Sequence, residues 1–100
     1  MNKVKISEGN VVFVGGKPLM NYVTGVVTQL EKKDVPEVVV SARGKFISKA
    51  VDISEIIRRK FLKDVKIKEI KIDSQEFDNK EGKRVTVSTM DIILKRWGFL

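Results

Sequence analysis

Four cations in this chain have no acidic neighbour in sequence to neutralise them. In VVVSARGKFISKAV, residues 38–51, Arg43, Lys45 and Lys49 occur without a single Asp or Glu. Lys17 follows a glycine pair in a segment, Gly9 to Leu30, that is equally free of acid. Cations at glycine-bearing turns suit phosphate: ammonium and guanidinium groups give charge-assisted hydrogen bonds, and glycine lets backbone amides come close. The plainer reading is a tight strand–helix turn with solvated charges beside it. Other chemistries find less support. The chain has no Cys and no His, which excludes thiolate chemistry and removes the commonest general base and metal ligand. Asp52 and Glu55 read as helix-surface charges. Asp73, Glu76 and Asp78 do not match a calcium loop, and Gly15-Gly16-Lys17 lacks P-loop spacing. No catalytic residue, metal or cofactor is expected. With 20 Lys+Arg against 13 Asp+Glu, a net +7, the partner to expect is an anion, nucleic acid first.

The elements that would position these cations follow from periodicity. One hundred residues, 42% hydrophobic and 33% charged, suit a single domain over 1–100. No apolar run reaches membrane-spanning length, and MNKVKISEGN has no signal-peptide core, so a soluble intracellular protein is expected. VVFV, residues 11–14, reads as a central strand covered on both faces. Pro18 suits a helix start, and Leu19, Val23, Val26, Val27 and Leu30 give an amphipathic helix of about 15 residues. Gly25 weakens it by roughly 1 kcal/mol relative to Ala unless a close neighbour needs the space. Residues 37–43 form a second apolar strand, and a right-handed βαβ unit with parallel strands results. Residues 46–61 form a second helix with Ile47, Ala50, Ile57 and Phe61 on one face and a Glu55–Arg59 pair. The last third is a long hairpin. With Gly82 in the left-handed region, Asn79 faces Lys83 and Ile72, Ile70 and Phe77 face Met90, Ile92 and Val85. Both strands switch apolar face at the same level, so the distal part, about 73–88, projects as an arm. The order is β-α-β-α-β-β, an α/β two-layer sandwich with a four-stranded mixed sheet and both helices on one face.

In a βαβ unit the carboxyl ends of the parallel strands share one edge. Gly15-Gly16-Lys17 and Arg43-Gly44-Lys45 should therefore be neighbours, beside two helix starts that attract anions. The opposite edge carries Glu31, Lys32, Lys33, Asp34 and Glu37, which nearly cancel. The arm mixes Lys80, Lys83 and Arg84 with Glu76, Asp78 and Glu81; it suits a groove or another subunit equally. Trp97, Phe99 and Leu100 in the terminal RWGFL suit core closure or a subunit contact, with base stacking the lesser use.

GGKPLMNYV and SARGKFISKAVDISEIIRRKF, followed by IKEIKIDSQ and the hairpin, resemble the Alba family of archaeal chromatin proteins over about residues 10–95. The resemblance implies a fold similar to the C-terminal domain of bacterial translation initiation factor three. It also implies a homodimer, or a heterodimer with a paralogue, that binds double-stranded DNA and also RNA with little sequence preference. Such a protein would be nucleoid-associated in the cytoplasm and would condense the chromosome. Carried over by position, the basic surface falls on Lys17, Arg43, Lys45 and Lys49, with Asn21 and Tyr22 beside it. The arms, with Lys83 and Arg84, would follow the minor groove. Phe61 falls where the family places a dimer–dimer contact, with core packing the alternative. Many members have a lysine pair before the proline; here Gly16 replaces the first lysine, removing one expected phosphate contact and the acetylation associated with it. The wider superfamily also contains protein subunits of RNA-processing particles, and an RNA-binding role is the alternative function.

Overall fold

The computed structural model describes residues 5–6 and 9–97; the expectations placed on Phe99 and Leu100 lie outside them. The elements run β1 (Lys5–Ile6), β2 (Gly9–Phe13), α1 (Leu19–Leu30), β3 (Glu37–Arg43), α2 (Ile47–Ile56), β4 (Val65–Asp78) and β5 (Arg84–Arg96). Strand order is β1-β2-β3-β5-β4. β2 and β3 are parallel and every other pairing is antiparallel. The four expected strands and the mixed sheet are present. The two-residue β1 adds a fifth, which the sequence reading did not anticipate.

Alternation decides what each strand buries. Val38, Val40 and Ala42 of β3 and Ile92 and Leu94 of β5 form one core with Val23, Val26 and Leu30 of α1 and Ala50, Ile53 and Ile57 of α2. On the other sheet face Val11, Val39 and Ile93 make a smaller cluster. Coverage there is thinner than VVFV suggested: among the described residues no helix packs over that face, and Phe13 is exposed.

Both helices deviate from their expected bounds. α1 has 12 residues, not about 15. Residues 46–61 are not one regular helix: a 3₁₀ turn (Gly44–Phe46) precedes α2 and a π-helical turn (Ile57–Phe61) follows it. The π turn closes with the Leu62 N–H donating to the Ile57 carbonyl at 2.8 Å. In a regular helix residues 57 and 61 share a face. The wider turn rotates Phe61 off it, so Ile57 is buried and Phe61 is 48% exposed. Phe61 therefore does not join the core. Arg58, Arg59 and Lys60 occupy this last turn, where cations complement the helix dipole.

The hairpin register is the one expected: Ile70 faces Ile92, Ile72 faces Met90 and Phe77 faces Val85. The Asn79 N–H donates to the Lys83 carbonyl at 2.8 Å, and Gly82 has φ +80°, a conformation that favours glycine. Asn79 Oδ1 also accepts the N–H groups of Glu81 and Lys83. A bulge between Ile67 and Glu69 inserts Lys68 as an extra residue. It keeps Ile70 and Ile72 on the face of Val65 and Ile67, which strict alternation would have reversed. At about 3.3 Å per residue, the 14 residues of β4 span about 46 Å, close to the molecule's longest extent of 49 Å.

Candidate functional site

Two loops meet at the carboxyl ends of β2 and β3. The Val14 N–H donates to the Ser41 carbonyl at 2.9 Å. Lys49, one turn into α2, reaches across and donates to the Gly15 carbonyl at 2.8 Å and also to the Lys17 carbonyl. Tyr22, from the first turns of α1, holds the same segment from its other polarity: its hydroxyl accepts the N–H of Gly15 at 2.9 Å and of Lys17 at 3.2 Å. The Lys49 ammonium also lies 5.2 Å from the Tyr22 ring centroid, a cation–π distance. The loop carrying Lys17 is thus gripped at both its donors and its acceptors.

Electrostatics at this edge are one-sided. Among the described residues no carboxylate forms an ion pair with Lys17, Arg43, Lys45 or Lys49, whereas Glu37, Glu55, Asp64, Glu76 and Asp78 pair with other cations. Neither α1 nor α2 has an acidic residue in its first turn or a side-chain cap, so the positive dipole ends of α1 and of the 3₁₀ turn leading into α2 are left without a compensating carboxylate. An ammonium has three donors; with two on carbonyls, Lys49 keeps one. Lys45 leans on the Phe46 ring at 5.5 Å, and Lys17 and Asn21 are exposed.

Arg43 belongs to the edge but turns to the helix-free face. Its Nη1 donates to Gln75 Oε1 of the arm at 3.3 Å, and its guanidinium lies 6.0 Å from the Phe77 ring centroid. Next to it Gly44 has φ +58°, and a Cβ there would stand 3.1 Å from Cγ2 of Val87. Only glycine fits this corner without strain, and through it the arm is seated against the loop edge. At the tip, Lys83 is exposed, while Arg84 pairs with Glu76 at 3.0 Å and Asp78 at 3.1 Å. The structure thus groups Lys17, Lys45, Lys49 and Tyr22, attaches Arg43 to the arm's base, and leaves Lys83, Arg84 and Phe61 elsewhere. Sequence reasoning missed the clamping role of Tyr22, whose hydroxyl target seven residues earlier leaves no periodic trace. Glu55, expected to meet Arg59, also meets Arg58, and these bonds, Arg58 first, hold its carboxyl below its ordinary value.

The Alba family model matches residues 10–74. This chain belongs to the Alba family. A protein called DNA/RNA-binding protein Alba in Picrophilus torridus is 48% identical over 91% of this chain and all of its own length. One of the same name in Methanococcus maripaludis is 47% identical over 85% of this chain and 96% of its own. The structure of Alba from Thermoplasma volcanium superposes with a TM-score of 0.80 at 46% identity, covering 87% of this chain and 100% of that one. ALBA1 from Trypanosoma brucei gives 0.66 at 27% identity, covering 89% and 71%. Against the family's lysine pair, Gly16 has open space around the position of a Cβ, so this Alba chain lacks the side chain without being built to exclude it.

Proposed function

We propose that this Alba-family protein binds nucleic acid without sequence preference, holding double-stranded DNA by its phosphates as a homodimer that compacts chromatin. It is a binding protein and not an enzyme, as its family is. The observation that carries the reading is the group of cations without an ion-pairing carboxylate among the described residues, in which Lys49 ties the Lys17 loop to the start of α2. Glu69, Asp73 and Asp91 line the cleft beside Arg43 without pairing with it. Phosphates would lie over Lys17, Lys45 and the third donor of Lys49, with the two helix starts behind them. The arms, Lys83 at their tips, would follow the minor groove. Phosphate contacts position a protein without reading bases. A nucleoid location follows from this role.

A salt series with matched DNA and RNA duplexes tests the proposal. With about 6–8 phosphate contacts per dimer, the slope of log affinity against log salt should be roughly −5 to −7. Arg43→Ala and Lys45→Ala, each removing one cation from both subunits, should weaken binding to all sequences alike and reduce the slope by up to about 2. A slope near zero, or loss at one sequence only, rules the mechanism out. The relatives carry RNA in their names as well as DNA. A clear preference for the RNA duplex in the same series would make RNA the principal target.

A further inference from the structure

The far end of the sheet carries a second group of cations that the loop edge does not explain. Lys95 directly opposes Glu37 on β3 and Lys66 on β4, so the three side chains share the helix-free face. Lys68 reaches the same carboxylate, Glu37, at 2.7 Å, and Lys95 lies 3.9 Å from it. Two lysines thus share one acid, and among the described residues no carboxylate pairs with Lys66, the strand partner of Lys95. Trp97 stands beside Lys95, one residue past the end of β5. Its backbone N–H is pinned to the Asp64 carbonyl at 3.0 Å, the Lys95 ammonium is 4.8 Å from its ring centroid, and it is 52% exposed. A core tryptophan would be covered. This one is fixed in place, half in water, and set among excess positive charge.

An exposed aromatic ring with flanking cations is how proteins hold unpaired nucleotides: a base stacks on the ring and the adjoining phosphates meet the lysines. In a duplex the base faces are occupied by neighbouring bases and cannot stack on protein. We infer that Trp97, Lys95 and Lys66 form a separate contact for a single-stranded segment of nucleic acid. The inference rests on the nucleic-acid-binding reading above and adds a site to it. That site is distinct in space: Glu37 and Arg43 are the two ends of β3, and six steps of about 3.3 Å put about 20 Å between this end and the loop edge.

Trp97 is the chain's one tryptophan, so its fluorescence reports on this site directly. The probes are oligouridylate and oligoadenylate of about a dozen nucleotides, and a duplex of similar length, titrated into the full chain. The single strands should quench Trp97 saturably and the duplex should do so far less. Trp97→Ala should weaken single-strand binding about tenfold and leave duplex affinity within about twofold. Trp97→Phe should recover much of the loss. The double variant Lys66→Gln, Lys95→Gln keeps the ring and should lower single-strand affinity with a smaller salt slope. Quenching should persist in the Arg43→Ala, Lys45→Ala double variant. Single strands that bind without changing the fluorescence, equal losses on both probes in Trp97→Ala, or quenching that vanishes with Arg43 and Lys45 would each overturn the second site while duplex binding stands. Failure of every probe to bind the wild-type chain would overturn the parent reading too.

Discussion

Tyr22 and Lys49 show how side chains can shape a binding loop by holding its backbone. The Tyr22 hydroxyl satisfies two backbone donors of the loop, and Lys49 two of its acceptors. Tyr22→Phe keeps the ring under the Lys49 ammonium and removes only the acceptor. It should cost about 1 kcal/mol of stability and lower duplex affinity without altering the salt slope, since no charge is lost. Differential scanning calorimetry and a salt series separate the two effects. Gly16→Lys works in the opposite sense. The position has open space, so the added cation, one in each subunit of the proposed dimer, should leave the melting temperature unchanged and steepen the slope by up to about 2. The cations themselves were legible in sequence, because an acid-free stretch is visible as such. Which of them faces solvent and which grips the loop was not, since that depends on the separation of α2 from a loop 32 to 34 residues away in sequence.

Secondary structure was recoverable where a period was clean and a turn residue marked the register. Gly82 and the alternation of Ile70, Ile72, Met90 and Ile92 placed the hairpin correctly across the whole of its distal half. The π turn was invisible because a helix pattern of i and i+4 is written in the same letters whether or not one turn widens. The bulge at Lys68 did leave a sign, the three-residue step from Ile67 to Ile70 within an alternating strand, which pattern reading passed over. Gly25 offers a test of intrinsic propensity: it is exposed in α1 with nothing near a prospective Cβ. Gly25→Ala should raise stability by up to about 1 kcal/mol, measured by urea denaturation. A loss of dimer in that variant would place the glycine against a second copy instead. The Glu55 pairs add little, because they are largely solvent-exposed. With its carboxyl held low in the folded state, their contribution is complete above the ordinary carboxylate value and fades as pH falls through the depressed one.

Phe61 stands outside the core with a π turn holding it there, an arrangement that costs contact within the chain, and we propose that the ring serves association between the proposed dimers. Phe61→Ala should leave the melting temperature within a few degrees and reduce the cooperativity of DNA binding, read from binding isotherms on long against short duplexes. A large fall in melting temperature would assign the ring to folding instead. The arm belongs to the same physical body as the loops: β4 and β5 run from core to tip with a bulge at Lys68, and Gly44 and Arg43 seat them at the corner. Such a protein behaves as a calliper with one jaw setting. Under the proposed function, a double helix whose groove matches the gap would be gripped at both jaws at once, and any other would have to bend or widen first, so geometry rather than base identity would be the quantity measured.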